Sequence, residues 1–230
     1  MHVFLIAGQS NAQGFGFTEG YPVLRDPRVF RIIKDKIEPA EEPLHHWPEH
    51  PWFPPEKKRG NGSAVPFALE LLKEYPDWEI AFVPAAVGGS GIDSWLPGNE
   101  NYKRALELIG SAKIEAVIWH QGETDSSDPE KARTYREKFL AVINGFRRDL
   151  GNPNLPVLAA ELHKKTSPAC KYHESVSAQT KEAVGELGNS AFVSSDGLLP
   201  NEHDLIHLDT PAVRELGKRF ARAYRDLLKR

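Results

Sequence analysis

The 230-residue sequence has a single cysteine, Cys170, and a single methionine, and it contains no block of like charges. One thiol excludes an internal disulfide and any cysteine-rich metal cluster. With 29 Lys and Arg against 32 Asp and Glu, the formal net charge is −3. No basic stripe is available to follow a phosphate backbone, so no nucleic-acid partner is expected. Long apolar runs are missing too: mean hydropathy is −0.47, and no stretch approaches the roughly 18 to 20 residues that cross a bilayer. No membrane partner is expected. The opening MHVFLIAGQSN does not read as a secretory leader, because its apolar run is only Val3 to Ala7 and no basic segment precedes it. That leaves a cytoplasmic protein or a mature secreted one already stripped of its leader. Repeats, heptads and low-complexity tails are absent, so one domain spanning 1–230 is expected, long enough to bury a large core.

What is present is an alternation of short β-rich runs with longer helical ones. Strands are expected at Val3 to Ala7, Ile80 to Pro84, Ala116 to His120, Val157 to Leu162 and Ala191 to Ser194, each nearly all apolar, as in a parallel sheet buried on both faces. Helices are expected at Val65 to Glu74, Tyr102 to Ile109, Pro129 to Asp149, Tyr172 to Leu187 and Pro211 to Leu228. Asp128 before Pro129, and Thr210 before Pro211, give helix-start signals. The pattern predicts an α/β fold, a three-layer α/β/α sandwich on a five-stranded parallel sheet. From about residue 15 to 63 the rhythm breaks, with many prolines and glycines and a hairpin expected around Asp35 and Lys36. So long a connection reads as an insertion of loop and hairpin.

In open parallel sheets, ligands bind beyond the carboxyl ends of the strands. After the first strand comes GQSNAQG, Gly8 to Gly14, and after the second AAVGGSGIDSW, Ala85 to Trp95. The third is followed by WHQGETD, Trp119 to Asp125, and the fifth by DLIHLD, Asp204 to Asp209. These are parts for acyl transfer. Ser10 can attack a carbonyl once His207 removes its proton, and Asp204, three residues earlier, can hold the imidazole in the right tautomer. Backbone N–H groups at Ser10 and at Gly88 or Gly89, with the Gln121 side chain, can form an oxyanion hole.

The four blocks resemble the SGNH hydrolases, in the branch of sialate O-acetylesterase-like proteins and carbohydrate esterase family six acetylxylan esterases. The resemblance covers residues 8 to 209, and EPLH (Glu42 to His45) and SAVPFA (Ser63 to Ala68) are similar to weaker segments of that family. It implies a flavodoxin-like fold and removal of O-acetyl groups from carbohydrates, with no metal and no organic cofactor. Two positions depart from the pattern. Gln121 replaces the asparagine of the wider superfamily, and Ala12 stands where many relatives carry methionine. Two acids compete for the triad: Asp204, which is favoured, and Glu123, which alternatively orients the Gln121 loop. The rival readings are a short-chain lipase or thioesterase on the same scaffold and a non-catalytic carbohydrate-binding protein.

Ser90 lies between glycines without the G-x-S-x-G spacing and reads as turn support. Asp209 reads as a cap, and Asp93 and Trp95 as fixing the GG loop, with Trp95 a candidate substrate contact. Asn11 is a further substrate-binding candidate. His45, His46 and His50 lack a helical metal-binding spacing, whereas Trp47 and Trp52 offer flat faces for a sugar ring or for packing their own loop. Cys170 reads as an inert thiol.

Overall fold

A computed structural model describes residues 1–45 and 59–229. Among the described residues the central sheet has seven strands rather than five: β1 (His2–Gly8), β3 (Arg25–Ile33), β4 (Lys36–Glu41), β6 (Ile80–Pro84), β7 (Ile114–His120), β8 (Val157–Ala160) and β9 (Ser190–Val193). Their order is β4-β3-β6-β1-β7-β8-β9, parallel throughout except for β4, which runs antiparallel on the edge. The five strands expected from the sequence are all present and neighbour one another. The two additional strands come from the segment read as an insertion. Pro27 and Pro39 and interspersed charges mask them, yet strands near a sheet edge tolerate proline because one side of the backbone needs no partner. The hairpin turn falls at Lys34 and Asp35, with φ of 50° and 67°, the left-handed pair of a two-residue turn. A small separate ribbon pairs β2 (Gly16–Phe17) with β5 (Arg59–Asn61).

Alternation along β1 divides the core. Phe4 and Ile6 face α2 (Ala64–Glu74) and α7 (Thr210–Leu228), while Val3, Leu5 and Ala7 face the opposite layer of α3 (Glu100–Ile109), α5 (Tyr135–Asp149) and α6 (His173–Leu187). A short helix α1 (Ser10–Gln13) follows β1 directly, which the sequence pattern did not suggest. The single helix expected from Pro129 to Asp149 is two, α4 (Pro129–Arg133) and α5, broken at Thr134. The Thr134 hydroxyl bonds back to the Glu130 carbonyl at 3.0 Å, the local competition that bends helices at threonine. Asp128 caps α4 by accepting from Glu130 and Lys131 N–H, and Asp209 caps α7 by accepting from Ala212 N–H at 2.7 Å. Among the described residues no helix is long and apolar enough to cross a membrane.

The α2–α7 layer depends on Gly217. A Cβ there would lie 2.3 Å from the Ser63 carbonyl oxygen and 2.8 Å from Pro66 Cβ, atoms fixed by backbone and ring. Gly217→Ala is expected to lower the unfolding free energy by about 3 kcal/mol, the upper part of the range for overpacking. Urea denaturation checks this; an unchanged midpoint would show that the helices can separate at no cost.

Candidate active site

Chain connections leave β1 toward β3 and β6 on one side, and β6 then returns across it to β7, so the crevice of the sheet opens beyond the carboxyl end of β1. Gly8 ends β1 with φ of +126°, and a Cβ there would fall 2.1 Å from the His120 carbonyl oxygen. Only glycine lets the two strand ends approach this closely. Ser10 follows, buried at 4% exposure as the first residue of α1.

His207 meets it from 197 residues away, with Nε2 2.8 Å from Ser10 Oγ and Nδ1 2.9 Å from Asp204 Oδ2. Asp204 accepts only, so the proton belongs on Nδ1 and Nε2 is left to accept from the serine hydroxyl. Burial pushes the Asp204 carboxyl up. The His207 ring bond and charge, with the N–H groups of His207 and Ile206, outweigh it and hold the carboxyl well below the usual range. The loop takes a left-handed turn at Leu205, φ 56°, and Phe15 stacks on the imidazole at 4.1 Å and 10°. The loop bonds thus fix the ring at its edge and Phe15 fixes its plane.

Glu123 does not touch His207. Its Oε1 accepts from Asn11 Nδ2 at 2.5 Å, His120 Nε2 lies 3.7 Å away, and Oε2 has no partner among the described residues. Burial pushes Glu123 up and is the main reason the His120 imidazole falls to about 3, so His120 is neutral. Asn11 is not exposed to a substrate: at 1% exposure its amide also donates to the Ile206 carbonyl and its oxygen accepts from Leu208 N–H. It fastens the Ser10 turn to the histidine loop, in place of the substrate contact expected of it.

Gln121 is likewise committed elsewhere. Its Nε2 faces Gln9 Oε1, the Ser90 carbonyl and Asp125 Oδ2 at 3.1, 3.0 and 2.5 Å, and its Oε1 accepts from Tyr135. Both amide hydrogens are spent on the scaffold, so the expected side-chain donor to an oxyanion is not presented. Gly88 and Gly89 lie exposed beyond β6; Gly88 N–H donates to Gln13 Oε1 at 2.8 Å, and Gly89 turns at φ +71°. Ser90 bonds back to the Val87 carbonyl and receives Trp95 Nε1, which closes the turn. Trp95 is fully buried and packs edge-on to Trp119 at 5.4 Å, so it belongs to the core and cannot meet a substrate. Trp47 and Trp52, with His46 and His50, lie outside the described residues. Cys170 is buried, its thiol against the Glu123 carbonyl. Among the described residues no group of three or more His, Cys, Asp and Glu is placed to hold a metal ion.

Three contributors escaped the sequence reading. Gln9 Oε1 gathers Gln121 Nε2 and the N–H groups of Gly122 and Thr124, Asp125 accepts from Ile92 N–H, and Phe15 covers His207. Gln9 adjoins the serine in the GQSN block, and that adjacency was the available signal.

A family model described as carbohydrate esterase, sialic acid-specific acetylesterase matches residues 1–226. A probable carbohydrate esterase of Arabidopsis thaliana is 29% identical over 245 residues, covering 96% of this chain and 89% of the relative. A crystal structure of an Arabidopsis thaliana protein superposes with a TM-score of 0.82 at 28% identity, covering 98% of both chains. NanS superposes at 0.71 with 19% identity over 99% of this chain and 97% of its own. A carbohydrate acetylesterase from Xanthomonas citri does so at 0.68 with 23% identity, over 98% of this chain and 56% of that one. At those identities the last two establish the fold. With nearly its whole length matched, the chain belongs to the carbohydrate esterase family of sialic acid-specific acetylesterases and is an esterase.

Proposed function

We propose that this carbohydrate esterase is a serine acetylesterase, removing O-acetyl groups from sugars through an acetyl-enzyme on Ser10. The continuous pair of hydrogen bonds from Ser10 Oγ through His207 to Asp204 carries the reading. As Oγ attacks the ester carbonyl, its proton passes to His207 Nε2, and the developing imidazolium is stabilised by the ionised Asp204. The oxyanion is received by N–H groups of Ser10 and the Gly88–Gly89 turn. His207 then returns its proton to the departing sugar oxygen, and the C–O bond of the ester breaks. Water, deprotonated by the same imidazole, attacks the acetyl-enzyme; the bond from the carbonyl carbon to Ser10 Oγ breaks, the imidazolium returns the proton to Oγ, and acetate leaves. Acetylated sugars are supported as substrates by the family and by the Arabidopsis relative.

The test is chemical. An organophosphonate that labels activated serines should add one group per chain, on the peptide containing Ser10, and abolish acetate release from acetylated xylan and from O-acetylated sialic acid in excess chelator. Acetyl aryl esters should be cleaved faster than octanoyl ones. Label on another residue with acetate release intact would overturn the assignment of the nucleophile; faster cleavage of octanoyl esters would make this a lipase-type enzyme.

A further inference from the structure

The structure leaves the oxyanion hole short of a side-chain donor, because the Gln121 amide is fully engaged within the scaffold. A second carboxamide stands close by. Gln13 lies three residues after Ser10 on the same helical turn, closed by the bonds from Gln13 N–H to the Gln9 carbonyl and from Gly14 N–H to the Ser10 carbonyl. That spacing puts both side chains on one face. Gln13 Oε1 sits on the Gly88 N–H at 2.8 Å, within the turn expected to receive the oxyanion. Its Nε2 has no acceptor among the described residues, and the side chain is half-buried. A Cβ on Gly88 would lie 2.9 Å from Gln13 Oε1 and 3.8 Å from the Phe15 ring, and Phe15 in turn stacks on His207, so the carboxamide and the ring that covers the catalytic imidazole flank the same Gly88 turn.

We infer that Gln13 is a catalytic residue, its amide nitrogen donating to the oxyanion as the side-chain member of the hole; the inference rests on Ser10 being the nucleophile. In the resting enzyme the Gln13 oxygen occupies the Gly88 N–H. When the substrate carbonyl oxygen gains negative charge it takes over that N–H and repels the carboxamide oxygen. The terminal bond of a glutamine is a broad, nearly two-fold rotor, so half a turn exchanges Oε1 for Nε2 at little cost. The same group that held the empty site then donates to the charge.

Two variants separate this from the alternatives. Gln13→Ala is expected to lower kcat on p-nitrophenyl acetate about 100-fold with KM nearly unchanged, as for loss of one oxyanion donor. Gln13→Glu keeps an acceptor for Gly88 N–H but has no donor, so it should be at least as slow as Gln13→Ala, with an unchanged melting temperature. If Gln13→Glu keeps the wild-type kcat, the residue merely pins the Gly88 turn and the inference falls. A faster Gln13→Ala makes the side chain a plug, and the inference falls equally. Full activity in Ser10→Ala would remove the nucleophile assignment and this inference together, whereas an essential Ser10 with wild-type rates in both Gln13 variants overturns this inference alone.

Discussion

Ser10→Ala should lower kcat on p-nitrophenyl acetate on the order of 10⁶-fold, and His207→Ala by a similar factor, since nucleophile and base act as one unit. For the same reason the double variant should be hardly slower than either single one. The geometry supports so large an effect. Ser10 Oγ and His207 Nε2 are 2.8 Å apart, while the serine of the GG turn, Ser90, has its hydroxyl directed to the Val87 carbonyl. Removal of Ser10 Oγ takes away no core packing, so Ser10→Ala should keep the wild-type melting temperature, whereas His207→Ala gives up the Phe15 stack and the Asp204 bond and should melt lower. Steady-state rates on enzyme of matched fold, checked by circular dichroism, are the measurement. A Ser10→Ala enzyme within tenfold of wild type would end the acyl-enzyme reading.

Asp204→Asn should cost about 10⁴-fold in kcat, because an amide favours the wrong imidazole tautomer while leaving the ring in place. Glu123→Gln should stay within about fivefold of wild type, since Glu123 holds Asn11 and does not reach His207. The reverse order of effects would make Glu123 the triad acid. Glu123 has a second, thermodynamic signature. Burial raises its carboxyl pKa in the folded state above the unfolded value. Below the ordinary carboxylate range it is protonated in both states and carries no penalty. As pH rises from that range toward the raised folded value, the unfolded chain ionises first and the folded state loses stability; above it the penalty is constant. Glu123→Gln cannot ionise. Urea unfolding at several pH values should therefore show the variant gaining on wild type as pH rises through this window. A pH-independent difference would mean Glu123 is ionised as readily folded as unfolded.

The parts of this protein that follow local rules were legible beforehand. Five strands appear as apolar runs because each is covered on both faces, and the D-x-x-H pair is readable because three residues of chain suffice to bring Asp204 to His207 Nδ1. The place of the β3–β4 hairpin in the sheet was not legible, since Pro27 and Pro39 are tolerated at and next to that edge for reasons of position, not of local sequence. The side-chain amides failed for a different reason. Asn11 and Gln121 could donate outward to a substrate or inward to the scaffold, and the choice is made by Glu123, Gln9 and Asp125, which only the fold brings within reach. Trp95 shows the same limit for an aromatic, since its place in the core is set by Trp119 and not by the adjacent GG turn.

The separation of Ser10 from His207 has a consequence for vectorial synthesis. The nucleophile is made before its base, which lies 197 residues later, just before the Asp209 cap of α7. A growing chain can pair β1 with β6 and β7 and still hold an inert serine, because the imidazole arrives only when α7 docks against α2. Loop-closure entropy makes such a distant contact slow to form. Hydrolytic competence therefore reports a late event of folding, and the nascent chain is silent toward esters until α7 is seated.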